Sequence, residues 1–189
     1  MPTATVYHPP LHGLVLAGGR SIRMGRDKGL IAYHGMPERE AVFQRLQPFC
    51  VRVFLSLNAE QAATANPDFP FIVDEIPDAG PLSGLLTAFR HHPDHAWLTA
   101  PCDLPFLTEN TIGLLVEARN SKQIATTFRG SDGWPEPLVA IWEPAALPLL
   151  QTAFKRGHGP RRILLENEPW LLDPPDFAEF RNMNTPDFE

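Results

Sequence analysis

A chain of 189 residues, 43% apolar and 20% charged, can bury one substantial core and lacks the composition of a disordered segment. Its formal charge of −6, from 16 Lys and Arg against 22 Asp and Glu, argues against a general nucleic-acid surface, so any anion it binds is small and held locally. Two cysteines, Cys50 and Cys102, without a CxxC pairing, exclude a disulfide framework and fit a reducing compartment. No apolar run approaches the roughly 18 to 20 residues that span a bilayer, and "MPTATVYHPP" has no charged segment followed by a hydrophobic one. The expectation is a cytoplasmic protein with no membrane or nucleic-acid partner.

In chain order, "HGLVLAGG" (12–19) predicts a buried first strand that stops at a glycine turn. "VRVFLSLN" (51–58) predicts a second strand with Val51, Val53, Leu55 and Leu57 alternating, and "FPFIVDE" (69–75) a third. Leu82, Leu85, Leu86 and Phe89 fall at i, i+3, i+4 and i+7 and predict a helix facing the sheet. "HAWLTAPCD" (95–103) is a fourth strand running into a carboxylate. Thr108 is the expected N-cap of a helix whose Ile112, Leu115 and Val116 share a face. "QIATTF" and "EPLVAIW" complete the strands, and Leu147, Leu150 and Phe154 mark a helix that should stop at Gly157. "FRNMNTPDFE" (180–189) reads as a short strand and turn. Strands alternating with helices imply βα units around a largely parallel sheet, a pattern that weakens after about Gly130, where a second lobe is expected to begin.

Residues 14–28, "LVLAGGRSIRMGRDK", carry the chemistry of the first turn. Gly18 and Gly19 let backbone N–H groups face an anion without a Cβ between, and Arg23, Arg26 and Lys28 follow closely. The spacing is neither GxxxxGK[ST] nor GxGxxG, so the P-loop and dehydrogenase fingerprints are excluded. Asp103 stands just past an apolar strand, where open α/β sheets bind ligands, and beside a polyphosphate it suits Mg²⁺. Asp74, Glu75 and Asp78 form a second acidic group ahead of the "GPLSG" turn. "HHPDH" (91–95) invites a metal reading, but a central proline and the lack of a second ligand cluster favour a solvated turn. "KRGHGPRRILLE" is either an exposed helix end or a receptor for a second phosphate.

"LAGGRSIRMGRDKGL" resembles LAGGxSxRMGxDKxL, the signature of the nucleotidyltransferase fold in its molybdenum cofactor guanylyltransferases, the MobA family; every fixed position is present. The resemblance runs from Leu14 to Phe188 through "IVDEIPDAGPLSGL", "PCDLP", "DGWPEPLVAIW" and "NMNTPDF". It implies a three-layer α/β/α Rossmann-like fold with a mostly parallel sheet, the nucleotide on the part up to about residue 130 and the acceptor on the remainder. Leu16, Ala17, Gly18, Gly19, Arg23 and Lys28 would then meet the triphosphate. Asn58 and Asp74, with Glu75 as the alternative to Asp74, would meet the nucleotide, and Asp103 would hold Mg²⁺. Arg161, Arg162, Asn182 and Asn184 would border the acceptor. The implied reaction joins GMP from GTP to a molybdopterin-bound metal cofactor and releases pyrophosphate, with transient contacts to cofactor-maturation proteins or molybdoenzymes. Cytidylyl transfer, a sugar or polyol phosphate acceptor, and a non-catalytic nucleotide-binding module remain the alternatives.

Overall fold

The computed structural model describes residues 8–18, 28–33, 35–76 and 80–182. Its sheet is built by strands that are apolar on both faces. In β1 (Leu11–Leu16), Leu14 and Val15 point to opposite sides and both are fully buried. In β2 (Arg52–Leu57), Val53, Leu55 and Leu57 line one face while Phe54 and the hydroxyl residue Ser56 are buried on the other. β3 (Phe71–Val73) is short, and β4 (Ala96–Pro101) is buried throughout. β5 (Ala125–Arg129), β6 (Pro135–Trp142) and β7 (Trp170–Leu172) complete a seven-stranded sheet ordered β3-β2-β1-β4-β6-β5-β7. β6 runs antiparallel to both of its neighbours; the other pairings are parallel.

Helices cover both faces. α1 (Glu38–Leu46) and α4 (Glu109–Glu117) supply Val42, Phe43, Leu46, Ile112 and Leu115 to one core, which the short α2 (Ala59–Ala63) borders. α3 (Pro81–His91), α5 (Leu147–Lys155) and α6 (Pro160–Glu166) pack Leu82, Leu85, Leu86, Phe89, Leu150, Ile163 and Leu164 into the other. This is the three-layer α/β/α fold with a mostly parallel sheet. The strand order reverses between β1 and β4, and a crevice at the carboxyl ends of such strands is where open α/β sheets take ligands. No helix among the described residues is long and apolar enough to cross a membrane.

Local signals set several boundaries. Thr108 caps α4 by accepting from Thr111 N at 3.2 Å. Gly157 takes φ +70 after α5, and His158 N donates to Ala153 O at 2.9 Å, closing the helix at the glycine. Gly80 takes φ +56 ahead of Pro81, the first residue of α3. Other expectations are corrected. Val51 lies before β2 and is 76% exposed, since the alternation starts only at Val53. Phe177–Phe180 form a 3₁₀ helix, capped by Asp176, whose carboxylate accepts from Ala178 N at 2.8 Å, and the strand and turn expected over 180–189 lie, from residue 183 on, outside the described residues. α1, α2, α6 and β7 are additional to the sequence reading.

Candidate active site

The last residues of β1 are held from both sides. Cys102 N donates to Leu16 O at 3.4 Å and Ala17 N to Ser56 O at 3.3 Å, while Gln61 Nε2 donates to Ala17 O at 2.9 Å. Gly18 follows, and a Cβ there would lie 2.4 Å from Asp74 Oδ2, so a side chain at this position would displace the carboxylate. Asp74 stands just past β3, its N–H donating to Leu57 O at 2.8 Å. Ser56 Oγ donates to Asp74 Oδ1 at 2.6 Å. Burial lifts the Asp74 carboxyl to about 6, against the opposing pull of that hydrogen bond. Glu75 is directed elsewhere: its carboxylate accepts from Arg90 Nη1 at 2.9 Å and lies 3.6 Å from His91 Nε2. Of the two acids, Asp74 is the one against the glycine turn.

Asn58 is the N-cap of α2. Its Oδ1 accepts from Gln61 N at 2.9 Å, and Gln61 Oε1 accepts from Asn58 N at 3.0 Å, a reciprocal capping pair. Through Gln61 this cap is tied to the Ala17 carbonyl, so Asn58 and the glycine turn form one hydrogen-bonded unit. Gln61 was missed by sequence reasoning, although an Asn followed three residues later by Gln is a capping signal.

Asp103, half-buried, lies two residues beyond β4, beside the end of β1. Two further groups share its surroundings. Burial raises the Tyr33 phenol, and the negative charges of Glu38 and Asp103 raise it further. Burial likewise raises the Glu136 carboxyl near the start of β6, with Asp132 and Asp103 adding to the rise while the Leu138 N–H and Arg161 oppose it. Glu136 Oε1 accepts from Leu138 N at 2.9 Å, and its Oε2 lies 4.0 Å from Arg161 Nη2. Arg161 also donates to Asp132 Oδ2 at 2.9 Å. Arg161 therefore reaches the acidic side of the crevice, whereas Arg162 pairs with Glu166 Oε1 of its own helix at 2.6 Å. Carboxylate oxygens are the donor type that Mg²⁺ takes. Among the described residues no three His, Cys, Asp or Glu side chains are grouped closely enough to hold a metal. The donor set fits an ion completed by substrate phosphates and water, of the kind Mg²⁺ prefers.

Gly19, Arg23, Asp78 and Asn184 lie outside the described residues, as does the Lys28 side chain, whose backbone opens the 3₁₀ turn Lys28–Leu30. Asn182 is exposed after the last 3₁₀ helix. The histidine turn differs from a simple solvated one. His91 is exposed, but His92 and His95 pack on His12 of β1, with ring centroids 4.8 and 4.2 Å away. His12 is 5% exposed at the amino end of the sheet, opposite the crevice. Burial, followed by the charges of His95, His92 and Arg52, lowers its pKa to about 4.

Residues 13–170 match the MobA-like NTP transferase domain. A molybdenum cofactor biosynthesis bifunctional protein of Synechocystis sp. is 36% identical over 187 residues, which take in 97% of this chain and 54% of that protein. The chain thus spans about half the length of that relative. A molybdenum cofactor guanylyltransferase of Ralstonia nicotianae is 43% identical over 191 residues, covering 92% of this chain and 91% of its own. Among solved structures, molybdopterin-guanine dinucleotide biosynthesis protein A of Archaeoglobus fulgidus superposes with a TM-score of 0.73 at 23% identity, over 94% of this chain and 93% of that one. A Mycobacterium tuberculosis protein solved in complex with manganese gives a TM-score of 0.60 at 19% identity, over 87% and 88%. A matching domain and relatives of this identity along almost the whole sequence leave one assignment: the chain belongs to the MobA-like NTP transferase family, among its molybdenum cofactor guanylyltransferases.

Proposed function

We propose that the protein transfers GMP from GTP to the terminal phosphate of the molybdopterin cofactor, giving molybdopterin guanine dinucleotide and pyrophosphate. The observation that supports this most is the convergence of the Ala17–Gly18 turn, Asp74 and Asp103 on adjoining strand ends of a sheet belonging to this family. The acceptor phosphate oxygen is already an anion and needs no Ser or His to activate it. It forms a bond to the α-phosphorus of GTP while the bond from that phosphorus to the β-bridging oxygen breaks, and pyrophosphate leaves with the electron pair. The chain's work is to align the two phosphates and neutralise charge on the departing one.

In this reading the Gly18–Gly19 backbone, Arg23 and Lys28 hold the β- and γ-phosphates, and Leu16 and Ala17 anchor that turn. Asp74 and the amide nitrogen of Asn58 face the nucleoside. Arg161, Arg162, Asn182 and Asn184 receive the acceptor on the side of the chain after about residue 130. Asp103 is the metal ligand, and Mg²⁺ bound there supplies positive charge at the α-phosphate. The manganese complex of a related fold is consistent with a divalent ion. The cofactor is then handed to maturation proteins or molybdoenzymes through transient contacts, in the cytoplasm, which suits two free cysteines.

The test is pyrophosphate release with Mg²⁺ and molybdopterin or its metal-loaded form, comparing GTP, CTP, ATP and UTP. Release with GTP alone is the expected result. Release with CTP alone would replace guanylyl by cytidylyl transfer, and nucleotide binding without release in any mixture would mark a non-catalytic binder or a different acceptor.

A further inference from the structure

We propose that Ser56 is a positioning residue of the nucleotide site: its hydroxyl holds the Asp74 carboxylate in the charged form against Gly18 and so makes nucleotide affinity depend on pH. The inference rests on Asp74 meeting the nucleotide, as set out above.

Ser56 stands in a strand whose other buried residues are Val53, Phe54, Leu55 and Leu57, and it is 2% exposed. A hydroxyl buried at that depth needs a partner. It finds one in Asp74 Oδ1 at 2.6 Å, a length typical of an O–H donor on an ionised carboxylate. The space for the pair is made by α3. A Cβ on Gly84 would come within 2.1 Å of Ser56 Oγ and 3.4 Å of Asp74 Oδ1. A Cβ on Gly18 would likewise lie 2.4 Å from the other carboxylate oxygen, so the two glycines form a slot closed by backbone on both sides. Three segments distant in sequence thus meet on one carboxyl group.

Among the described residues, the groups facing that slot are uncharged. β2 presents Ser56, the turn after β1 presents Gly18, and α3 presents Gly84, with Ser83 bonded to Ile76 O and Thr87 Oγ1 accepting from Glu75 N. The neighbouring acid, Glu75, is paired with Arg90 and lies near His91. Ser56 is therefore the hydroxyl that favours the charged form of Asp74, while burial opposes it. A carboxylate beside a triphosphate site repels phosphates but accepts from hydroxyl and N–H donors, so the part of the ligand it suits is the ribose or base. Protonation removes that acceptor. The carboxyl pKa of about 6 places the change just below neutral pH.

The experiment measures GTP affinity by calorimetry between pH 5.5 and 8.5 for the unsubstituted protein, Ser56→Ala and Asp74→Asn. In parallel, the Asp74 carboxyl is titrated by ¹³C NMR without nucleotide, and circular dichroism confirms folding. Unsubstituted protein should lose affinity below pH about 6, approaching tenfold per pH unit. In Ser56→Ala the Asp74 midpoint should move up by about one unit, which weakens binding about fivefold near pH 6 and about twofold at pH 7 and leaves it close to normal at pH 8.5. A merely structural serine would give a loss that is equal at every pH with no movement of the midpoint, and that result overturns the proposal. If Asp74→Asn binds GTP normally at pH 7, the assignment of Asp74 to the nucleotide falls and the affinity claim with it. The NMR midpoint in Ser56→Ala then decides the coupling of the two side chains separately.

Discussion

At the amino edge of the sheet, Glu143 is 1% exposed and Arg119 occupies both of its carboxylate oxygens, Nε at 2.6 Å and Nη2 at 2.9 Å. Nη2 also donates to Pro9 O at 2.9 Å, tying the start of the chain to the end of β6. At the carboxyl edge, Asp74 is enclosed by two glycines and receives one serine hydroxyl, with no cation paired to it among the described residues. The first arrangement satisfies a buried charge fully and fixes the scaffold. The second leaves a buried acceptor with one hydroxyl donor among the described residues, at the place where the proposed function puts a ligand with hydroxyl and N–H groups. The difference separates residues that hold the fold from residues held in readiness by it.

The comparison breaks if the amino edge proves functional or the carboxyl edge structural. Glu143→Ala should destabilise by about 3–5 kcal/mol, because it strands Arg119 in the interior. Denaturant unfolding reads that loss, and the protein that remains folded should bind GTP normally. Asp103→Ala should lower turnover by at least about 10²–10³-fold, or roughly 2.7–4 kcal/mol of transition-state stabilisation, with unfolding little changed; normal activity would remove the metal assignment. His12 supplies a milder contrast. It is neutral in the folded protein but protonated in the unfolded chain between pH about 4 and 6.5, so the unfolded state binds more protons and stability falls as pH drops through that window. Replacing His12 by Phe should flatten the acid limb of a Tm-against-pH curve by on the order of 1–3 kcal/mol and leave its neutral limb alone. Thr108→Ala, which removes the α4 cap and a hydroxyl bond to Glu179, should lose about 1 kcal/mol, visible in Tm and absent from kcat/KM.

Features encoded by neighbours in sequence were legible. The glycine turn, the strand-end acids Asp74 and Asp103, the α3 stripe and the Thr108 cap all rest on spacing within one segment. α1 was not, because it opens on Glu38, Arg39 and Glu40 after Pro37 with no capping side chain, and its apolar residues cluster at Ala41–Phe43 and Leu46. α6 hides Ile163 and Leu164 behind an arginine pair. Glu136 was passed over because it stands near the start of β6 at the carboxyl edge, where its carboxylate feels Asp103 only once β6 pairs antiparallel with β4. The same holds for His92 and His95, whose partner His12 is some 80 residues away in sequence and meets them only once β1 and β4 pair. Ser56 looked like one polar residue in a strand, and only the approach of Gly84 gives its hydroxyl a purpose.

Asp74→Asn offers the most direct test of the contrast, measured as Tm across pH together with GTP affinity on the same preparation. The Asp74 pKa is raised from 3.8 to about 6, so the folded chain binds more protons within that window and stability declines as pH rises through it. Asparagine removes that decline. The account predicts a variant a few degrees more stable at neutral pH, equivalent to about 1 kcal/mol, with GTP bound at least about tenfold more weakly. A variant that is less stable and binds GTP as before would show Asp74 to be part of the scaffold, and the distinction between the two edges would fail.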